Sequence, residues 1–219
     1  MTEMTLRDHA RGAIRDEVLR QAWNLFAEQG FEATTVDQIA TAAGMSRRTF
    51  FRYFTGKDEL VLERLIEHGD RLARALRERP ADEPAWPALR AAFDAIVIPQ
   101  EANADHSRLL TVMLRAEPGV RASVLERHRR WQELLTPLVA ERLAPRRGRT
   151  GPDVRAEAVA GSALACLEAA QELWTANPGS QLGALLDEAM DTVATAPAPA
   201  TTMIGDDPVQ HVDRIFPSD

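Results

Sequence analysis

At 219 residues, with 45% hydrophobic side chains and a formal charge of −7, the chain has the size of one or two globular units and is too acidic for general nucleic-acid coating. No apolar run approaches the ~20 residues of a membrane span, and the N-terminus MTEMTLRDHA lacks the apolar core of a signal peptide. A single cysteine, Cys166, excludes an internal disulfide and a cysteine-based zinc site, so the expectation is a soluble cytoplasmic protein.

In chain order, residues 1–8 are expected to be a frayed arm. Arg7 and Arg11 lie within reach of a DNA backbone or minor groove if the chain carries a DNA-binding unit. A helix is predicted from Arg11 to Gln29, with Ile14, Val18, Ala22, Leu25 and Phe26 as its buried stripe and Trp23 beside it. Gly30 stops it.

The stretch from Thr35 to Leu60, TVDQIATAAGMSRRTFFRYFTGKDEL, holds two short helical patterns joined by a tight turn. Thr35 and Gln38 fit a capping box. Val36, Ile39, Ala40 and Ala43 share one face. Gly44 suits the left-handed position after a helix, and Ser46 suits the N-cap of the next one. Helix, glycine-containing turn, helix is the DNA-binding helix-turn-helix arrangement. Between Gly44 and Lys57 stand Arg47, Arg48, Arg52 and Lys57 and no acid, a local charge of +4 that leaves −11 for the remainder. A cationic island on an acidic chain points to local recognition of an anion. Lys57 is the chain's only lysine and Tyr53 its only tyrosine, with Phe50, Phe51 and Phe54 alongside.

The run T-V-x-x-I-A-x-x-A-G-M-S-x-x-T-F-F-x-Y-F-x-x-K-x-x-L resembles the DNA-binding signature of the TetR family of bacterial transcriptional regulators. The resemblance covers about the first third of the chain. It implies an all-α homodimer in which an N-terminal three-helix DNA-binding domain, residues 11–70, precedes a larger helical ligand-binding and dimerisation domain, residues 80–195. Such a protein binds a palindromic double-stranded DNA operator and leaves it when a small-molecule effector binds. By position, Arg47, Arg48 and Thr49 would face the major groove. Arginine reads guanine O6 and N7 there, at roughly 1–3 kcal/mol of discrimination per bidentate pair. Thr35, Phe51, Tyr53 and Lys57 would grip the backbone, with Ser46 and Arg52 on the same surface. Backbone contacts fix position without reading sequence. Ile39, Ala43, Phe50 and Phe54 would hold the motif together. Two departures from the family pattern stand out: Phe51 replaces a usual tyrosine, which removes a hydroxyl, and Arg48 replaces a usual small residue. The paired Arg47-Arg48 with Phe50-Phe51 resembles a branch that includes acyl-CoA sensors.

After Phe54 a long helix is predicted from Thr55-Gly56 to Arg79, running from the DNA end into the body as a lever. Pro84 or Pro87 opens a helix to Val97, ended by Pro99. Another is expected from Ala104 to Ala116. Pro118 then opens a long helix to Ala144, with Pro137 inside it as a kink. PRRGRTG follows as a basic, solvated connection. Pro152 opens a helix to Ala176 whose Ala158, Gly161, Ser162, Ala165 and Ala169 allow close approach of another helix. Asn177-Pro178-Gly179 makes a turn, and a last helix spans Ser180 to Ala194. Two such apolar helices suggest a four-helix bundle with a second copy. Residues 197–219 read as a tail of weak local order, although Ile215 and Phe216 offer apolar docking points.

Residues 80–195 are expected to enclose a mostly apolar pocket. Trp86, Phe93, Met113, Trp131, Cys166 and Trp174 are candidate lining residues. His106, Arg115, Glu168 or Gln171 are candidates to orient a polar head. The implied effector is an acyl-CoA or another hydrophobic compound; no membrane partner and no cofactor are expected. His106 and His128 lack paired metal-ligand spacing. No phosphate-binding glycine loop, nucleophile elbow or HExxH is present, so the enzyme reading has no support. The alternatives carried are a DNA-binding activator or nucleoid-type protein, and a helical carrier or enzyme with a vestigial helix-turn-helix.

Overall fold

The computed structural model describes residues 6–144, 151 and 153–195. They form ten α-helices, and no strand occurs among the described residues. The first four are α1 (Leu6–Gln29), α2 (Val36–Ala42), α3 (Arg47–Tyr53) and α4 (Lys57–Glu78). The body adds α5 (Ala85–Ala92), α6 (Asp94–Ala102), α7 (Ala104–Ala116), α8 (Arg121–Ala140), α9 (Val154–Ala176) and α10 (Leu182–Thr195). A short 3-10 turn, Pro118–Val120, leads into α8.

Two apolar cores are built on one shared helix. The first gathers Val18, Leu19, Ala22, Trp23 and Phe26 of α1 with Ile39, Phe50, Phe54, Leu60 and Leu65. The second gathers Leu72 and Leu76 of α4 with Leu89, Phe93, Leu135, Leu164, Trp174 and Leu186. Each fully buried large apolar side chain contributes about 1.5–3 kcal/mol of transfer free energy. Because Leu60 and Leu65 belong to the first core and Leu72 and Leu76 to the second, α4 is the common strut. Met113 and Val120 of the body also enter the first core, so the α1–α3 head is joined to the body by packing as well as through α4.

Within the body α4 packs along α8, and α9 lies against both α8 and α10. The α4–α8 crossing is close at Gly69. A Cβ there would sit 2.4 Å from Trp131 Cδ1 and 2.6 Å from Trp131 Nε1. The absent side chain lets the indole reach the α4 backbone, where Nε1 donates to the Leu65 carbonyl at 2.8 Å. Trp86 Nε1 donates to the Met190 carbonyl at 3.2 Å and ties α5 to α10. Arg142 donates to the Leu76 and Arg79 carbonyls at 2.7 and 3.3 Å, satisfying groups left open at the end of α4.

Several boundaries depart from the sequence reading. Helix α1 begins at Leu6, five residues before the expected start; its first turns contain no proline. Pro99 does not end a helix. The predicted single helix from Pro84 to Val97 is broken at Phe93 instead, and Pro99 lies inside α6. Buried Phe93, Ile96 and Val97 anchor this segment, and the Phe93 carbonyl accepts from Ile96 and Val97 N–H at 2.8 and 2.9 Å. One missing donor at Pro99 is tolerated in that setting. Helix α8 stops at Ala140, where the predicted end was Ala144. After Pro137 the chain tightens into i→i−3 bonds, Arg142 N–H to Val139 and Leu143 N–H to Ala140. Asp153 caps α9, its side chain accepting from Arg155 N–H at 3.0 Å. The basic loop up to Thr150, Pro152, the Arg7 side chain and the 197–219 tail with Ile215 and Phe216 lie outside the described residues.

Candidate nucleic-acid interface and the cavity behind it

Local rules build the exposed surface of α2 and α3. The Thr35 hydroxyl accepts from Gln38 N–H at 3.2 Å while the Gln38 side chain accepts from Thr35 N–H at 2.8 Å, a reciprocal cap on α2. Gly44 carries φ +67° in the turn. Ser46 then caps α3, its hydroxyl accepting from Thr49 N–H at 3.1 Å. On α3, Phe50 is buried and Phe54 follows one turn later against it, 5.4 Å between ring centroids. That anchoring turns Arg47, Arg48, Phe51 and Arg52 to solvent.

The exposed set is not uniformly free. Arg47 donates to Asp37 of α2 at 2.8 Å, and its guanidinium lies 5.4 Å from the Phe51 ring centre. Both members of the ion pair are about 60% exposed, so it is worth at most ~1 kcal/mol and gives way readily to a stronger partner. Arg48 has no such contact among the described residues. Phe51 is 46% exposed, a large aromatic face held out to solvent. Tyr53 is half-buried, flanked by Arg52 at 5.2 Å and Arg11 at 6.0 Å. Arg15 fixes the far side of the motif: it donates to Glu63 in a two-pronged pair and to the Tyr53 carbonyl at 2.8 Å, and stacks 4.5 Å over Phe54. The Glu63 hydrogen bond leads in holding its guanidinium above the ordinary arginine range.

Lys57 has a structural task that its motif position did not disclose. Its ammonium donates to the Phe31 carbonyl at 2.7 Å and to the Glu32 carbonyl at 3.3 Å, 4.3 Å from the Phe31 ring centre. It therefore closes the loop between α1 and α2. One of its three donors is left for another acceptor.

Behind this head lies a cavity of about 760 Å³. It is not confined to the body. Helix α1 contributes Arg20, Trp23 and Asn24, and α4 contributes Arg64, Leu65, His68 and Arg71. The remaining wall comes from α6 to α9, with Ile96, Pro99, Leu110, Leu114 and Val124 among its apolar members. Of the residues expected from sequence, His106, Trp131 and Gln171 line it, as do Arg115 and Glu168. Trp86, Phe93, Met113, Cys166 and Trp174 do not. Phe93, Cys166 and Trp174 are packed in the body core with Trp86 against its edge, and Met113 is packed in the head core. Burial pushes the Cys166 thiol up from its ordinary value.

The charged part of the lining is mostly cationic. Arg127 is anchored to Glu168 at 2.9 Å and lies 5.2 Å from the Trp131 ring centre; burial holds its guanidinium below the ordinary range. Arg115 meets Glu172 at 3.3 Å. Burial, reinforced by Arg71, Arg64 and Arg127, pushes the His68 imidazole down to about 3, so it is neutral at physiological pH. In the sequence α1 reads as part of the DNA-binding unit and α4 as a lever, so neither stands out as a cavity wall. The available signal was the polar line Arg64, His68, Arg71 at i, i+4, i+7 on an otherwise apolar face. Among the described residues no cluster of histidine, cysteine and acids has the makings of a metal site, and no helix is long and apolar enough to cross a membrane.

Comparison with known proteins bears on both halves. Residues 18–63 match the bacterial regulatory proteins of the tetR family, and residues 83–197 match the MftR C-terminal domain. The chain is 33% identical over 144 residues to the HTH-type transcriptional regulator TcmR of Streptomyces glaucescens, a match covering 63% of each and so just under two thirds of that regulator. It is 31% identical over 173 residues to MftR of Mycobacterium tuberculosis, a candidate mycofactocin biosynthesis transcriptional regulator, covering 78% of this chain and 85% of that one. Among solved structures, Thermus thermophilus FadR, a transcriptional repressor in complex with lauroyl-CoA, superposes with a TM-score of 0.58 at 23% identity, over 85% of this chain and 98% of that one. FadR from Bacillus halodurans gives 0.63 at 18% identity, over 84% and 99%. The two structural likenesses show a shared fold.

Proposed function

The chain belongs to the TetR family of bacterial regulatory proteins, and from that premise we propose that it is a ligand-responsive transcriptional repressor that binds a palindromic operator as a homodimer. Helix α3 enters the major groove, with Arg47, Arg48 and Thr49 toward the bases. Thr35, Ser46, Phe51, Arg52, Tyr53 and Lys57 meet the backbone. A small apolar or amphipathic effector, acyl-CoA being one such class, occupies the cavity and lowers operator affinity.

One observation carries this reading: the same cavity is walled by α1 of the head and by α4 and α6–α9 of the body. Helix α4 has 22 residues, ~33 Å at 1.5 Å per residue. It starts at the loop-closing Lys57 and passes the cavity at Arg64–Arg71. A ligand that fits one α1–α4 arrangement better than another biases the position of α3 by its differential affinity. Coupling of this kind is typically 1–3 kcal/mol, about 5–150-fold in affinity. In a dimer the two α3 helices would stand about 34–36 Å apart to meet successive major grooves. The dimer reading rests on α9 and α10, where Ala158, Leu173 and Val193 are exposed on the single chain.

Fluorescence anisotropy with DNA from upstream of the coding region, against scrambled DNA, tests the proposal. A site bound about 10³-fold or more over scrambled DNA supports it. Candidate effectors added to the complex should release the probe, and a reporter gene gives the sign of regulation. Equal, salt-labile binding to both probes would count against a specific operator in that region.

A further inference from the structure

The cavity's lining charge is out of keeping with the rest of the protein. Five arginines line it, Arg20, Arg64, Arg71, Arg115 and Arg127, against two glutamates, Glu168 and Glu172, in a chain of net −7. Four of the five are engaged. Arg20 pairs with Glu17, Arg64 with Glu67, Arg115 with Glu172 and Arg127 with Glu168. Arg71 forms no hydrogen bond and no ion pair with any described residue, and its Nε is buried without a partner. Leaving a guanidinium uncompensated at a partly buried site is unfavourable unless a counter-charge arrives.

Two further nitrogens in the cavity walls lack partners. Trp23 Nε1 and Arg127 Nε are also buried without partners, and both side chains line the cavity. Trp23 is only 8% exposed. These three nitrogens, on α1, α4 and α8, lie behind the cavity surface, so the unpaired group that the cavity meets is the outer part of the Arg71 guanidinium. The complement of an unpaired guanidinium in a wall with five arginines and two glutamates is an acceptor-rich, negatively charged group. His68, one turn before Arg71 and kept neutral among the arginines, adds no charge and offers a further polar contact. The apolar wall of Leu65, Ile96, Leu110, Leu114 and Trp131 suits a hydrocarbon body attached to that group.

We propose that the effector is an amphipathic anion, a carboxylate or phosphate on an apolar body, and that Arg71 is the residue that reads its charge inside the cavity. This rests on the reading of the cavity as the effector site. A guanidinium presents two parallel donors to such an anion, which gives orientation as well as energy. Seated between Arg71 on α4 and Trp23 on α1, the headgroup ties together the two helices whose relative position sets α3.

The test is calorimetric titration of the full-length protein with decanoate, decyl phosphate and decanol. The variants are Arg71→Gln and Arg71→Lys, each checked for its circular dichroism spectrum. The expected result is that the anions bind the wild type at least ten-fold more tightly than decanol. Arg71→Gln should bring the anions down to the decanol level and leave decanol unchanged, while Arg71→Lys keeps part of the preference. The tighter of the two anions then identifies the headgroup. Decanol binding as tightly as both anions overturns the proposal and leaves the cavity as an effector site. A preference for anions that survives in Arg71→Gln overturns the assignment to Arg71. If none of the three binds, the effector-site reading falls with it. Should Arg71→Gln not fold, the wild-type preference and its reduction in Arg71→Lys decide the matter.

Discussion

Replacing Gly69 with alanine tests how α4 is held. In an ordinary exposed helix interior this change stabilises by about 1 kcal/mol through helix propensity. Here the new Cβ would stand 2.4 Å from Trp131 Cδ1 and 2.6 Å from Nε1, well inside contact distance. The indole cannot swing aside freely. It is 4% exposed, lies 5.2 Å from Arg127, and donates to the Leu65 carbonyl at 2.8 Å. Overpacking of this kind costs typically 1–3 kcal/mol, and loss of the indole hydrogen bond adds about 1 kcal/mol. Set against the propensity gain, the net expectation is about 1–3 kcal/mol of destabilisation. For a chain of this size that is a fall in melting temperature of roughly 2–12 °C. Thermal unfolding followed by far-ultraviolet circular dichroism measures it. Adding Trp131→Leu to Gly69→Ala removes the clash, so a double-mutant cycle should give a coupling above about 1 kcal/mol. A Gly69→Ala variant as stable as the wild type or more so would refute the close-crossing argument.

Stability should depend on pH through His68. Its folded pKa is pushed down to about 3 from 6.5, so the unfolded chain binds the extra proton between those values. The stability is fully present above about pH 6.5 and is lost as pH falls toward 3, at a slope of up to about 1.4 kcal/mol per pH unit. Acids titrate in the lower part of that window, so the difference between wild type and His68→Gln reports the histidine; parallel curves would remove it from the account. Arg48→Ala should lower discrimination at one operator position by about 1–3 kcal/mol, read by anisotropy on single-base variants of the site, whereas unchanged discrimination would place Arg48 on the backbone. Lys57→Ala should destabilise the head by about 1.5–3 kcal/mol by opening the Phe31 and Glu32 carbonyls. Well below the melting temperature it should also weaken all DNA sequences alike and reduce the salt slope by about one unit; an unchanged slope would leave Lys57 only its loop-closing task.

The recognition head was legible in the sequence because its determinants are local. A capping box at Thr35 and Gln38, a glycine at the left-handed position after α2 and a serine cap before α3 each act within four residues. The i, i+4 spacing of Phe50 and Phe54 set which face of α3 is buried, and so which arginines stand out. Tertiary structure added Asp37 beside Arg47 and the Lys57 bridge to the α1–α2 loop, contacts between residues ten and more than twenty positions apart. The body helices were legible from apolar periodicity and proline positions, but their breaks were not. Phe93, not Pro99, divides α5 from α6, because burial of Phe93, Ile96 and Val97 outweighs one missing donor.

The cavity lies at the other extreme. Large aromatic residues such as Phe93 and Trp174 look like pocket walls in sequence, yet they are the side chains a core buries most completely. Beside the expected His106, Arg115, Trp131, Glu168 and Gln171, the cavity wall comes from Arg20, Trp23, His68, Arg71 and Arg127, on helices whose relative placement no local pattern specifies. Sequence determined which side chains of α3 stand exposed, because turns, caps and helical phase are short-range effects. Only the packing of α1 and α4 against α6–α9 decided where the protein leaves empty space and which charges face it, because a void is a property of how helices meet.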